Sequence, residues 1–331
     1  MRKERFNNQK GIALILTLTI IVILAALAVE LDYLVRVNIS NAATIRDHTK
    51  ALYIAKTGIN IAFSLLKDDT NGHDSLHEDW GKFDEYSALS HLLLDEGSFS
   101  GAIGDEAGKI NINKLVKQDD HLDDIRKEQL KKLFTILGLS GKYEDIDTII
   151  DDIADWIDKD NSTATFETED EYYTSLQDPY TCKNGPLEII TELLLIRGIS
   201  DDLFYGTKEH EGIGNYLTVY GDGKININTC SATVLMTLCY KDGDSVMFPI
   251  DQDLAKSIIE HRTENEFKKV SDIENVLGME GLHTKIKDLL TVKSSFFSIE
   301  VAGFMNRSTQ AANVVVERKG ENLNIMYWRV E

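Results

Sequence analysis

The chain has 331 residues and a formal net charge of −20 at pH 7, with 55 acidic side chains against 35 lysines and arginines. This length suits two or three domains of about 100–200 residues each. The strong negative charge argues against a nucleic-acid partner, because contacts to phosphate groups need lysine and arginine. The 3 cysteines allow one disulfide at most, and the sequence does not select its partners.

A basic segment opens the chain and an apolar segment follows it. Basic residues outnumber acidic ones in 1–10, Gly11 ends this segment, and 12–29 contains no charged residue. The apolar stretch is close to the about 20 residues that a helix needs to cross a bilayer. Basic residues in front of it predict a cytoplasmic N-terminus, so that everything after Glu30 lies on the other side of the membrane.

The order of these two segments differs from that of a secretory signal peptide, in which small residues follow the apolar core. Here Gly11 precedes the core. The arrangement resembles a prepilin leader, 1–11, which implies cleavage between Gly11 and Ile12 by a prepilin peptidase and N-methylation of Ile12. The 12–29 helix would then stay on the mature protein as a transmembrane helix. From the leader alone, an ordinary N-terminal membrane anchor is the alternative.

The fifth residue of such a mature chain would be Leu16. Most pilins and pseudopilins carry glutamate at this position, and the resemblance implies that it pairs with the N-terminal amine of a neighbouring subunit. An ionised group in hydrocarbon costs several kcal/mol unless it is paired. A subunit with leucine here has no carboxylate for the amine of a subunit above it, which predicts a place at the tip of a filament.

Helical character continues beyond the membrane segment. The 30–66 segment has no proline and a single glycine, Gly58, and its apolar residues recur at helical spacing. One helix of about 50 residues would be about 75 Å long. The sequence therefore predicts a periplasmic continuation of the transmembrane helix that packs on a globular head, which is the architecture of pilins.

The remaining chain alternates between sheet and helix. A loop is predicted at 67–82, a hairpin at 98–113, and helices over 119–197 and 231–290. Three strands are predicted at the C-terminus, over 296–302, 312–318 and 323–330, the last two joined by a turn at 319–322. Strands on both sides of a helical block predict an α+β fold in which a small antiparallel sheet carries a large all-α insertion.

An internal repeat marks the borders of that insertion. The hexamer Gly-Lys-Ile-Asn-Ile-Asn occurs at 108–113 and again at 223–228, and each copy ends in asparagine, a good helix N-cap. The repeat predicts two related helical units. The predicted domain limits are a pilin-like head over 67–112 and 291–331, a first SAM-like unit over 113–210 and a second unit over 211–290.

The second unit resembles a helix-hairpin-helix or SAM-like module. In nucleic-acid-binding versions, a glycine-rich hairpin offers backbone N–H groups to a phosphate. Here the turn at 277–281 contains Glu280, a carboxylate where the phosphate would approach. We therefore expect a structural or protein-contact role, with Arg262 and Asp272 as solvated or capping residues.

Acidic residues cluster between the helices of the first unit. In helical register, Asp151, Asp155 and Asp158 share one face, and further acids follow up to Glu171. Calcium takes six to eight oxygen ligands and tolerates irregular loops, so these carboxylates could collect one. A solvated acidic face is the alternative, and both interpretations stay open. No catalytic motif stands out, which predicts that the protein is not an enzyme.

Several motifs together resemble the protein K family of minor pseudopilins in type II secretion systems. They are the leader, Leu16, the entry to the second unit at 225–229, and the residues Asp155, Trp156, Ile157, Asp158, Asp160, Tyr172, Tyr173, Tyr180, 183–187, 192–193 and 197–198. The resemblance implies a pseudopilin head with a helical insert that binds calcium, and we assign Asp158, Asp160, Asp170 and Glu171 as its ligands.

The same resemblance implies a role at the tip of the pseudopilus. The expected partners are the minor pseudopilins of types I, J and H, the major pseudopilin, the prepilin peptidase and the inner membrane. The expected function is to initiate pseudopilus assembly and to support protein export across the outer membrane. A minor pilin of a type IV pilus and, further off, a membrane-tethered DNA-binding protein are the alternatives.

Overall fold

The structure is a computed structural model that describes residues 9–143, 145–159 and 169–330. Its first helix, α1, is unbroken over 60 residues, as the lack of proline predicts. Its helices are α1 Gln9–Asp68, α2 Phe83–Ala88, α3 Asp124–Ile136, α4 Ile146–Ile157, α5 Glu169–Thr174, α6 Asp201–Tyr205, α7 Ala232–Thr237, α8 Gln252–Glu264 and α9 His283–Ile286. Short 3₁₀ helices cover Trp80–Lys82, Ser90–Leu92, Glu106–Gly108, Ile112–Lys114, Ile190–Leu195, Ile213–Tyr216, Val270–Asn275 and Lys287–Leu289.

The main sheet combines one strand from before the helical block with three from after it. The strands are β1 Ser98–Asp105, β2 Ile110–Asn111, β3 Leu217–Thr218, β4 Ile225–Asn226, β5 Tyr240–Asp242, β6 Ser245–Met247, β7 Leu290–Thr291, β8 Phe296–Met305, β9 Ser308–Lys319 and β10 Asn322–Val330. The sheet has the order β1-β8-β9-β10, with every pair antiparallel. This confirms the predicted α+β fold with a helical region inserted into a small antiparallel sheet, although that region is not all-α, because it contains the short strands β2 to β7.

The hairpin predicted at 98–113 is wrong. The first part of this segment forms β1, which pairs with β8 over its whole length. The chain then continues through a 3₁₀ helix to β2, which pairs with β3, so the segment does not fold back on itself. Its glycines serve close packing and not a turn, because a Cβ on Gly101 would lie 2.5 Å from the backbone oxygen of Glu300. The turn predicted between the last two strands is confirmed, with Gly320 at a φ of 61°.

The second half of α1 lies on the sheet through small side chains. Ala51, Ala55 and Ala62 are fully buried on this face. The helix backbone approaches β8 so closely that a Cβ on Gly303 would be 2.2 Å from the backbone oxygen of Ala51. Gly58 likewise leaves room for Phe99 and Val301. The head core therefore forms between α1 and the helix-facing side of the sheet.

The helical insertion has a hydrophobic core of its own, separate from that of the head. Ile110 and Ile112, at the end of the segment predicted as head, contribute to this second core together with Leu290 and Val292 at its other border. The individual domain limits stay predictions. A small hairpin, β5–β6, connects α7 and α8 where the sequence predicted only helix.

The insertion consists of two units with the same order of elements. The first runs from β2 through α3, α4 and the 3₁₀ helix Ile190–Leu195 to β3, and β2 pairs with β3 in parallel. The second runs from β4 through α7, α8 and the 3₁₀ helix Val270–Asn275 to β7, and β4 pairs with β7 in parallel.

The repeated asparagines have equivalent partners in the two units. Asn113 donates to the Leu187 oxygen at 2.9 Å and accepts from the Leu187 N–H at 2.8 Å. Asn228 makes the same pair of bonds to Phe267, both at 2.9 Å. Near the start of each unit, the asparagine side chain thus bonds both the N–H and the oxygen of one distant residue, as the backbone of a neighbouring strand would. The prediction that they cap helices is wrong. Asn111 caps the 3₁₀ helix Ile112–Lys114 by accepting from the Asn113 N–H, whereas Asn226 accepts from the Asn228 N–H in a turn and Ser231 caps α7.

Candidate functional site

Residues 12–29 of α1 form an apolar rod without ionisable groups. From Ile12 to Val29 its side chains are exposed, and Leu16 is 61% accessible. The Thr17 and Thr19 hydroxyls donate to the backbone oxygens of Leu14 and Ile15 in the same helix, so they need no water. The helix is long and apolar enough to cross a membrane.

The predicted processing site lies within this helix. Gly11 and Ile12 are both helical residues of α1. Residues 1–8 of the predicted leader lie outside the described part of the chain. Cleavage after Gly11, methylation of Ile12 and the missing-glutamate role of Leu16 stay predictions.

Of the four predicted metal ligands, the structure describes the surroundings of one. Asp158 follows the last residue of α4 in extended backbone conformation, and its N–H donates to the Ala154 oxygen at 2.9 Å. Asp160 lies outside the described residues. Asp170 and Glu171 belong to the short helix α5, and their side chains are outside the description as well.

Three acids of α4, namely Asp147, Asp151 and Asp152, are paired with basic side chains from other segments. Asp151 accepts from Lys127 of α3 at 2.5 Å, and Asp152, which is buried, accepts two hydrogen bonds from Arg197 at 2.9 and 2.5 Å. Much of the negative charge of this helix is thus neutralised within the first unit. The helical register alone did not reveal this pairing, because Lys127 and Arg197 come from other elements.

The acidic segment is an insertion into one of the two related units. In the second unit only Asn265 and Glu266 separate the end of α8 from Phe267. In the first unit 158–186 separates α4 from Leu187, the counterpart of Phe267. This loop is closed at its base, where the Gly185 N–H donates to the Trp156 oxygen at 3.2 Å.

Aromatic rings hold the described parts of the loop against α4. The ring of Trp156 meets Tyr173 edge-on with centroids 5.2 Å apart, and Tyr180 lies 6.2 Å from the same tryptophan. Burial raises the pKa of Tyr173 well above its ordinary value. Asp158 and Asn184 lie next to this closed base in the sequence, and their side chains carry oxygen atoms that can act as metal ligands. Such donors suit calcium, so the chemistry of the loop fits the metal that the resemblance implies.

A different acidic group gathers in the described residues. Oxygens of Asp69, Asp74 and Glu78 lie within 4.8 Å of one another. Arg318 on β9 donates to Asp69 at 2.5 Å and also binds Asp74. The guanidinium of Arg318 therefore already supplies positive charge to these carboxylates. The sequence alone did not predict this acidic group.

This group belongs to the joint between the head and the second unit, defined by Asp74, Asp105, Asn226, Ser294 and Arg318. Asp105 is buried and accepts from Asn226, Thr229 and Ser294 at 2.9, 2.7 and 2.6 Å. The Ser294 N–H donates to Asp74 at 2.6 Å. Burial raises the pKa of Asp105, and it raises that of Asp74 to about 7, although Arg318 favours the ionised form.

The hairpin turn of the second unit is closed to phosphate. The Gly278 N–H donates to the Glu280 carboxylate at 2.9 Å. The backbone N–H that would bind a phosphate is therefore already occupied by a carboxylate of the same chain. Asp272 caps the N–H groups of Lys268 and Lys269, as predicted. Arg262 is not solvated: its guanidinium is buried and donates to the Ile227 oxygen at 2.8 Å.

Comparison with known proteins points to one family. Two family models, both described as type II secretion system protein K, match residues 108–207 and 225–293. The type II secretion system protein K of Aeromonas hydrophila is 24% identical over 98% of this chain and 97% of that protein. The Klebsiella pneumoniae protein K is 20% identical over the same shares of the two chains.

A partial match and a solved structure agree with these relatives. A putative type II secretion system protein K of Escherichia coli K12 is 26% identical over 60% of each chain. In the crystal structure of the GspK-GspI-GspJ complex from enterotoxigenic Escherichia coli, one chain has a TM-score of 0.67 and 17% identity to this one. That match covers 88% of this chain and 99% of the other. The likeness shows a shared fold.

Proposed function

This chain belongs to the protein K family of type II secretion systems, and from that membership we propose that it is the minor pseudopilin at the tip of the pseudopilus. In this role it initiates assembly and supports protein export across the outer membrane. The observation that carries the proposal is an apolar helix, 12–29, with no carboxylate at Leu16. A subunit that cannot neutralise the amine of a subunit above it suits the last position of a filament.

The helical insertion supports the same position. It enters and leaves the head at β1 and β8, and with two units and a core of its own it adds bulk beside the sheet. Such bulk would hinder lateral packing inside a filament, whereas at the tip nothing has to be stacked beyond it. Its role is then to begin and to cap the fibre, and we propose no catalytic activity.

We propose that the apolar part of α1 anchors the chain in the bacterial inner membrane, with the head in the periplasm. The I and J minor pseudopilins are the proposed partners, because the related GspK fold occurs in a GspK-GspI-GspJ complex. We also propose the H-type subunit, the major pseudopilin and the prepilin peptidase as partners. We propose no nucleic-acid partner, since Glu280 occupies the turn N–H of the second unit.

Assembly can be tested with the full chain in detergent and candidate I and J subunits from the same genome. We expect a complex that survives gel filtration. Failure of the three proteins to associate would contradict the tip role. A deletion strain distinguishes the type IV pilus alternative, because loss of pili with intact secretion would favour that alternative over the proposed one.

We further propose that the acidic loop binds calcium through Asp158, Asp160, Asp170 and Glu171. A ligand that binds only the folded state raises stability. We expect the thermal midpoint to rise when calcium is added to chelator-treated protein, and Asp158→Asn to reduce this rise. An unchanged midpoint with calcium would reject the metal site.

A further inference from the structure

The segment between the first helix and the sheet seals one edge of that sheet. Ser87 of α2 accepts from the Gly101 N–H at 3.0 Å, and Ser90 accepts from the Phe99 N–H at 2.8 Å. The Ser90 hydroxyl donates to the Phe99 oxygen at 2.7 Å, and the Ser87 hydroxyl shares its proton between the Asp84 oxygen at 2.9 Å and the Gly101 oxygen at 3.2 Å. An edge strand with free backbone groups invites pairing with another chain. The two serines satisfy these groups of β1, so this flank is suited to contacts through side chains.

The outer side of the sealing segment is apolar. Leu89, Leu92 and Leu93 are 54%, 72% and 73% accessible. Leu89 and Leu92, three residues apart at the 3₁₀ helix Ser90–Leu92, share one face, and Leu93 follows directly beside them. We call these three residues the leucine ridge. The inner side of the segment is buried through Phe83, and the serines hold it in place. The ridge is therefore a fixed apolar surface, unlike the single exposed leucines that are common on proteins.

Acidic residues surround the ridge. Asp84, Glu85, Asp95 and Glu96 are exposed, and the sequence has no lysine or arginine from Phe83 to Glu96. Glu96 pairs with Lys50 of α1, and this hydrogen bond lowers its pKa. Interfaces commonly combine an apolar centre with a polar rim. A partner that covers this ridge needs an apolar groove with lysine or arginine at its edge.

The position of the ridge indicates where the partner comes from. Glu96 binds Lys50, and a Cβ on Gly97 would touch Ile54, so the segment meets α1 where that helix enters the head. This is the end of the head that faces the apolar rod of 12–29. A protein seated here lies between the head and the membrane, beside α1.

We infer that the leucine ridge docks a second membrane-anchored subunit through an apolar groove edged by lysine or arginine. This inference rests on the proposed function, since it assigns a surface to one of the neighbours that such a tip requires. The serine-sealed edge keeps the ridge at a fixed height above the membrane. It therefore sets the step between this subunit and the next one below it.

Site-specific photocrosslinking tests the inference in cells that contain the whole secretion machine and the full chain. Benzoylphenylalanine at position 92 probes the ridge. The same probe at position 39, where Ile39 is exposed on α1, reports on assembly along the helix independently of the ridge. Position 277 is the matched control, because Leu277 is even more exposed, whereas its apolar sequence neighbours Val276 and Met279 are buried.

We expect position 92 to crosslink to a membrane-anchored pseudopilin, at a site next to lysine or arginine, and position 277 not to. Leu89→Ser with Leu93→Ser should lower the yield at 92 about tenfold, as loss of two central apolar contacts predicts. Asp84→Lys with Glu85→Lys should also lower it, with the yield at 39 and the thermal midpoint unchanged.

The remaining outcomes separate the two proposals. A product at 39 without one at 92 would overturn the ridge and leave the proposed function intact. Products at neither position would overturn both. A product at 92 with an exported protein or an outer-membrane protein would reject the membrane-anchored occupant. An unchanged yield at 92 in the leucine variant would show that the ridge does not carry the contact.

Discussion

At the scale of single residues, close backbone approaches and two-way side-chain bonds determine much of this fold. Gly303 lets α1 touch β8, and Asn113 and Asn228 each hold a distant segment through a donor and an acceptor. None of these roles is visible in composition. The exact repetition of the hexamer was the only sequence signal for the asparagines, and it suggested capping instead of bridging.

The contact at Gly303 can be tested by adding one methyl group. Gly303→Ala places a Cβ 2.2 Å from the Ala51 oxygen, so the helix must move away from the sheet. We expect a loss of about 1–3 kcal/mol in the free energy of unfolding, measured in denaturant. Gly72→Ala is the control, because no atom of the described residues lies within 4 Å of the position of its Cβ. Equal stability of the two variants would refute the close packing.

The equivalence of the two asparagines gives a second expectation. Asn113→Ala and Asn228→Ala each leave a backbone N–H and a carbonyl without their side-chain partner, at Leu187 and Phe267 respectively. Each should lower the free energy of unfolding by about 1–3 kcal/mol. Asn60→Ala, on the exposed face of α1, should change it by less than about 0.7 kcal/mol. A marked difference between the first two variants would argue against equivalent roles.

At the scale of elements, the sequence predicted what depends on local periodicity. Proline-free helical spacing gave α1, and alternation with a Gly320 turn gave β9 and β10. The hairpin at 98–113 failed because glycine in a strand signals close approach as well as a turn. The joint was missed because Asp74, Asp105 and Arg318 come from segments far apart in the chain, and only the fold brings them together.

The joint makes stability depend on pH. Burial raises the pKa of Asp74 from 3.8 to about 7, so the folded chain binds this proton more tightly than the unfolded chain does. The resulting stabilisation is complete below the ordinary value and is lost as the pH rises to about 7. We expect unfolding free energies of the wild type to fall over this window, and less so in Asp74→Asn.

Denaturant titrations at several pH values would measure this difference. Asp105 has a raised pKa in the same joint, so the variant should keep part of the slope. Asp244→Asn, in the exposed turn between β5 and β6, is a control that should leave the wild-type profile unchanged. Parallel profiles of wild type and Asp74→Asn would contradict the assignment.

At the scale of the whole molecule, an apolar rod, a small sheet and a broad helical insertion form one chain. The family membership is shown by the family models that match the two helical units, and the proposed role at a tip rests on Leu16 together with the bulk of the insertion. The candidate calcium ligands stay a prediction. Helical register grouped Asp151 with Asp155 and Asp158, but it could not show that acids of α4 such as Asp151 are neutralised by lysines of α3.

The proposed position can be tested at Leu16. Leu16→Glu introduces a carboxylate that costs several kcal/mol in hydrocarbon unless a neighbouring amine pairs with it. In cells without other pseudopilins we expect a lower amount of the variant in the membrane fraction than of the wild type, by immunoblotting. Leu18→Gln, polar but uncharged, is the matched control. Equal amounts of Leu16→Glu and wild type would show that position 16 does not meet hydrocarbon.

The unbroken α1 helix also acts as a lever. With its apolar part in a bilayer, about 70 Å of rigid helix extends from the middle of the membrane to the far end of the head. A tilt of about 20°, common for membrane helices, would swing that end sideways by about 25 Å. Forces on the buried end of the rod would thus be converted into large lateral displacement of the head, without any hinge in between.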